Sequence, residues 1–265
     1  MSTLLPVPQA RPFEIPFRPD SIDSPTVLYG DGPVVILYPA AEGEQWVRVT
    51  FEGFDSLRVC CGEYLPYEEL PGKYSAVYLV ENSAWLRERH AYEAEHYRGS
   101  YEFGGDVDEM LTDFQHYLFK FHDQYVEVLA RGVWFEASPQ RFVLGSSPER
   151  HPLADLPESC TTERFTVEGI TCQVRTDPRP LEELVKGARY CSQPLFHFAL
   201  ELEGRHTVSM SMVLRERRGE LRSYCRGYFG NAPASVPGIA TLEQARRWVD
   251  PYIREVRERR RQMGK

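Results

Sequence analysis

Apolar and polar side chains alternate with a period of two through much of this chain, the pattern of strands with one covered and one wet face. Val47, Val49 and Phe51 alternate with Arg48, Thr50 and Glu52, which predicts a strand whose polar members face water. Short apolar or β-branched runs at 27–29, 34–38, 57–61 and 74–80 repeat the signal, and Gly30-Asp31-Gly32-Pro33 marks a turn between the first two. Strands joined by such short links predict antiparallel pairing. Asn82 or Ser83 then offers a helix cap, and Trp85, Leu86 and Tyr92 mark a modest apolar stripe on a helix reaching about Tyr97 and lying across the sheet.

Two patterns compete between Glu109 and Glu136. Leu111, Phe114, Leu118, Phe121, Tyr125 and Val128 recur at helical spacing, yet 116–121 and 125–130 are rich in aromatic and β-branched residues around polar His122-Asp123-Gln124. We therefore expect a short helix at 107–115, a hairpin turning at 122–124 and a third strand at 133–136. Three prolines and few large apolar residues at 144–160 predict a boundary. Beyond it the pattern predicts a strand over 165–174, a helix through 181–185 and further strands at 195–200, 207–214 and 221–229. Ala245, Trp248, Val249, Tyr252, Ile253 and Val256 predict a closing helix kinked at Pro251, with the basic run Arg257 to Arg261 at its end. Six prolines in 1–25 predict an extended arm whose Phe13, Ile15 and Phe17 alternate as if to pack on a core. Its one P-x-x-P, Pro16 to Pro19, is too common a spacing to identify a ligand for a proline-binding domain.

These elements predict an α+β fold, mainly antiparallel sheets with a few packed helices, in two sheet-and-helix parts. The parts are an extended arm (1–25) leading into a β-rich part (26–148), and a part over 160–265 with a basic C-terminal helix. The length of 265 residues suits two such parts.

Charge separates them. Residues 1–150 carry 12 basic and 24 acidic side chains, a net of −12, and residues 151–265 carry 19 basic and 15 acidic, a net of +4. The total of −8 excludes uniform electrostatic coating of nucleic acid, which needs surplus cations to displace counterions. The split suits a partner of mixed charge, a second copy of the chain, or attraction between the two parts.

Six cysteines include the adjacent pair Cys60-Cys61 but no C-x-x-C, so zinc-finger and thioredoxin-type chemistry lacks its short spacing. They are expected to be reduced, mostly as small core residues. The N-terminus has no basic start followed by an apolar run, and no stretch nears the ~20 apolar residues of a membrane span. These features predict a cytoplasmic protein that does not engage a membrane.

Candidate chemistry is sparse. Glu93-x-x-His96 and Asp113-x-x-His116 have the spacing used by di-metal helical bundles, but a β-rich chain lacks the other two helices. In a strand, His116 and His122 lie roughly 20 Å apart and cannot share a metal; His122-Asp123 suits a turn. No phosphate loop or G-x-S-x-G is present. No cofactor or metal is therefore expected. The most specific surface feature is Arg222, Tyr224, Arg226 and Tyr228, which share one strand face as alternating cations and rings. Such a face suits phosphates and stacked bases or an acidic protein. The sequence is thus read first as a non-enzymatic binding or regulatory protein acting by protein–protein contact. A single-stranded nucleic-acid or nucleotide binder using Arg222 to Tyr228 is the alternative, and an enzyme with a His/Cys site between the parts is a third reading.

Overall fold

The computed structural model describes residues 6–20, 23–30, 33–70, 75–97, 110–143, 160–167, 170–202, 205–217, 220–227 and 235–237. It is mostly sheet with a few helices, and its sheets are largely antiparallel. The chain divides into two compact units, Met1–Glu149 and Arg150–Lys265. The boundary segment at 144–159, Tyr228, and the closing helix at 241–256 lie outside the described residues.

The first unit contains, in chain order, β1 (Gln9–Pro12), β2 (Thr26–Leu28), β3 (Val35–Pro39), β4 (Trp46–Glu52), β5 (Ser56–Cys61), β6 (Glu68–Glu69), β7 (Val77–Glu81), α1 (Ala84–His96), α2 (Met110–Asp113), β8 (Gln115–Lys120), β9 (Gln124–Ala130) and β10 (Gly132–Ser138). The competition at 109–136 therefore resolves as the short helix, hairpin and third strand. Antiparallel partners, β7 and β9 for β8, β5 and β8 for β9, and β4 for β10, let these strands satisfy their backbone groups without a long helix.

Two sheets result, with strand orders β5-β9-β8-β7-β1-β6 and β10-β4-β3-β2. All pairs within them are antiparallel except β1 with β6. They pack face to face: Phe119 meets Phe51 edge-on at 5.9 Å between ring centroids, and Phe121 meets Tyr38 at the same distance. The arm supplies β1, an interior strand between β6 and β7. Ala10 and Phe13 are buried and Ile15 and Phe17 half-buried, while Glu14, Pro16 and Arg18 are exposed.

One expectation fails in β4. Arg48, Thr50 and Glu52 do not face water; all three are buried, like Val47, Val49 and Phe51 on the other side. Arg48 is tolerated because Glu136 lies directly across on β10 and accepts two hydrogen bonds from it, at 2.8 and 3.0 Å, while the ring of Phe142 covers the guanidinium. A buried cation with a bidentate carboxylate satisfies the same period as a wet one. The expected stripe on α1 also narrows: Trp85 is buried and Leu86 half-buried, but Tyr92 is exposed, stacked on His96.

The second unit contains β11 (Thr161–Val167), β12 (Ile170–Thr176), α3 (Leu181–Ala188), β13 (Gln193–Leu202), β14 (Arg205–Arg217), β15 (Glu220–Gly227) and β16 (Ser235–Pro237), with all six strands in one antiparallel sheet in sequence order. The single strand expected over 165–174 is instead the pair β11 and β12. The register runs from Thr161↔Thr176 to Val167↔Ile170, so two short antiparallel strands pair with each other where the apolar pattern read as one.

Candidate functional site

Cross-strand register places Arg58 and Cys60 of β5, Tyr125 and Glu127 of β9, His116 and Leu118 of β8 and Tyr78 of β7 on the outer face of the first sheet, away from the second sheet. Two elements cover this face. Helix α1 lays Trp85 against His116, with ring centroids 5.2 Å apart. The segment 62–70 lays Leu65 and Tyr67 on the core of Ala10, Tyr78, Val80 and Leu118.

A chain of polar contacts runs beneath that cover. Ser83 caps α1: its Oγ accepts the amide hydrogen of Leu86 at 3.0 Å. The same Oγ lies 2.8 Å from His116 Nδ1. With one lone pair taken by Leu86, the hydroxyl proton is free to point at the imidazole. His116 Nε2 lies 2.9 Å from Glu127 Oε2, an ion-pair distance without the straight alignment of an ideal hydrogen bond. The hydroxyl of Tyr67 donates to the same carboxylate oxygen at 2.5 Å. The side chains of His116 and Glu127 are 0% and 5% exposed, so the chain is nearly dry at its centre.

Burial by itself would raise the pKa of Glu127. The close contacts of His116 and Tyr67, with the nearby Arg58, outweigh it and hold the carboxyl below its usual range. Tyr67 moves the other way: burial first, then its bond to the Glu127 carboxylate, raise the phenol well above its ordinary value. Arg58 completes the wall, stacked over Trp85 at 3.9 Å and 4.0 Å from Glu88. Toward solvent, Cys60 is half-buried beside Tyr125, whose pKa is raised by burial and then by its contact with Cys60.

The cover is acidic outside. Tyr64 is 85% exposed, and Glu63, Glu68, Glu69, Glu81 and Glu88 are exposed around 62–70 and α1.

No family model, curated protein or solved structure matches this chain. Its site therefore stands on geometry alone.

The residues singled out from the sequence fall elsewhere. Arg222, Tyr224 and Arg226 share a face of β15, directly opposite Arg215, Val213 and Ser211 of β14. Val213 and Arg215 are buried, with Arg215 donating to Ser192 at 2.8 Å, so that face is covered at both positions. Glu93 is drawn to Arg89, Asp113 to Arg131, and the His96 ring to the carbonyl of Tyr92. Among the described residues no group of three His, Cys, Asp or Glu side chains is placed to hold a metal. His122 pairs with Asp123 in an exposed turn at 2.7 Å. The cysteines differ from the core expectation: Cys191 is buried, but Cys61 is exposed and Cys60 and Cys160 half-buried, all as free thiols. No helix among the described residues is long and apolar enough to cross a membrane.

Proposed function

We propose that the protein, an α+β chain of two sheet-and-helix parts, acts by binding a basic protein partner through the 62–70 segment and the adjoining surface of α1. The observation that carries this reading is Tyr64, 85% exposed in the same segment as exposed Glu63, Glu68 and Glu69, which Leu65 and Tyr67 anchor beneath. An aromatic ring presented on an anchored segment loses little conformational freedom on docking, and tyrosine is over-represented among residues that dominate binding energy. The surrounding carboxylates steer a cationic partner and reject an acidic one. The net charge of −12 over residues 1–150 extends that field.

Affinity for a panel of basic and acidic proteins, measured by interferometry on the full chain, tests the idea. Basic partners are expected to bind, with affinity falling at least tenfold in Tyr64→Ala/Glu68→Lys/Glu69→Lys and falling with salt. Equal binding by the folded variant, or a preference for acidic partners, overturns the proposal. Sedimentation of the chain alone identifies the other occupant, a second copy offering its basic residues from 151–265. The single-stranded nucleic-acid reading at Arg222, Tyr224, Arg226 and Tyr228 has less support, because the shared face is covered at Val213 and Arg215.

A further inference from the structure

The contacts beneath the cover have an order that docking does not require. We propose that Ser83 is a nucleophile toward carboxylic esters, with His116 as its base and Glu127 as the positioning residue for that base. This inference is independent of the docking surface.

Four observations converge on it. Ser83 Oγ lies 2.8 Å from one ring nitrogen of His116, and the other ring nitrogen lies 2.9 Å from a carboxylate, the nucleophile–base–orienter arrangement that defines a triad by geometry and not by sequence position. Ser83 also sits at a strand-to-helix turn: β7 ends at Glu81, Asn82 stands in the left-handed region with φ 55°, and α1 begins at Ala84. Asparagine tolerates that region, so the turn delivers Ser83 to the helix start with ordinary backbone angles, φ −51° and ψ 117°. The Leu86 amide donates to Oγ and the 13-residue helix turns its positive end toward it, which eases loss of the hydroxyl proton. Tyr67 fixes the orienting carboxylate with a second bond, so Glu127 holds the imidazole while staying ionised.

The step balances within this set. As Oγ attacks the ester carbonyl carbon, its proton passes to His116 Nδ1. The bond from that carbon to the alcohol oxygen breaks, and the departing alcohol takes the proton from Nδ1, leaving Ser83 acylated. Water then gives a proton to the same nitrogen while attacking the acyl carbon, and the proton returns to Oγ as the acid leaves. Trp85 and Tyr67 pack edge-on against His116, so an ester that reaches Ser83 meets aromatic surface.

Ser83 is 6% exposed and Tyr67 belongs to the cover, so access is part of the test. The full chain is incubated with a fluorophosphonate probe and the adduct located by peptide mass mapping, with p-nitrophenyl acetate hydrolysis followed in parallel. The expected result is one adduct, on Ser83, in the wild type or in Tyr67→Ala, which removes the covering ring at the cost of one bond to Glu127. General-base catalysis contributes about 10²–10⁴-fold, so labelling should slow at least 100-fold in His116→Asn. In Glu127→Gln it should slow at least tenfold with an altered pH profile. The proposal is overturned if neither the wild type nor folded Tyr67→Ala labels Ser83, if the adduct lies elsewhere, or if a folded His116→Asn variant labels at the wild-type rate. Should His116→Asn not fold, the first two outcomes decide alone.

Discussion

Gly53 faces Arg131 so closely that a β-carbon on the glycine would come within 2.8 Å of Arg131 Cδ and 3.3 Å of its Cβ. The two residues stand where the chain turns from one sheet into the other. Glu52 pairs with Gly132 and Ser56 with Leu129, leaving three residues on one strand against two on the other. This extra residue is a β-bulge, with Gly53 in the left-handed region at φ 55°. The bulge lets a paired ribbon leave the four-stranded sheet as β4 and β10 and enter the six-stranded sheet as β5 and β9. Gly53→Ala adds backbone strain to a contact that Arg131 cannot relieve by moving its tip alone. We expect a loss of about 1–3 kcal/mol, read as a lower urea midpoint at unchanged slope.

Arg48 and Glu136 form a pair whose side chains are 3% and 16% exposed. Removing one partner leaves the other charge desolvated, so Glu136→Leu should cost roughly 3–5 kcal/mol. The double variant Arg48→Met/Glu136→Leu should recover most of that loss, since a well-packed apolar pair is often as stable as a buried ionic one. A double-mutant cycle by chemical denaturation checks both values, and additive losses would show that the pair is not coupled.

The fold was legible where the period of two met a turn signal, as at 124–138, where aromatic and β-branched residues outweighed a helical spacing that fits equally well on paper. Burial of the polar side of β4 was not legible, because alternation reports two unlike faces and is silent on whether the polar one is paired and covered. The candidate site was hidden for a topological reason. Tyr67, Ser83, His116 and Glu127 come from four segments, and only the β8–β9 register and the packing of α1 bring them together. Ser83 was legible as a cap. His116 was legible only through its spacing from Asp113 and His122, and no pattern in the sequence singled out Glu127.

The acid and alkaline limits of stability should trace to the same contacts. The folded-state pKa of Glu127 is lowered, so its contribution is present above the ordinary carboxyl range and is lost as pH falls through the folded value. The phenol of Tyr67 has a raised pKa, so its contribution is present below about pH 10 and is lost as pH rises toward the folded value. Glu127→Gln should therefore flatten the acid limb of a stability–pH curve, and Tyr67→Phe the alkaline limb. Thermal melts from pH 3 to 11 would show it, and curves parallel to wild type would mean that other groups set both limits.

In the second unit, Gly187 allows α3 to approach β13. A β-carbon there would lie 2.6 Å from Cδ of Gln193, a buried side chain held by several partners. Arg179 Nη1 donates to Gln193 Oε1 at 3.2 Å, while Gln193 Nε2 donates to the carbonyl of Cys191 at 3.3 Å. Arg179 is itself held by Asp177, through a donor at 2.8 Å and two at 3.0 Å. Alanine is the better helix former by about 1 kcal/mol, so propensity alone predicts that Gly187→Ala stabilises α3. The clash decides the sign, because displacing Gln193 strips hydrogen bonds from buried groups that cannot turn to water, at about 1–3 kcal/mol for each group left unsatisfied. We expect net destabilisation with faster amide exchange in α3 and at the start of β13. A second substitution, Gln193→Ala, vacates the space: Gly187→Ala made in that background should be neutral or stabilising. If Gly187→Ala is equally harmful in both backgrounds, contact with Gln193 is not what requires the glycine.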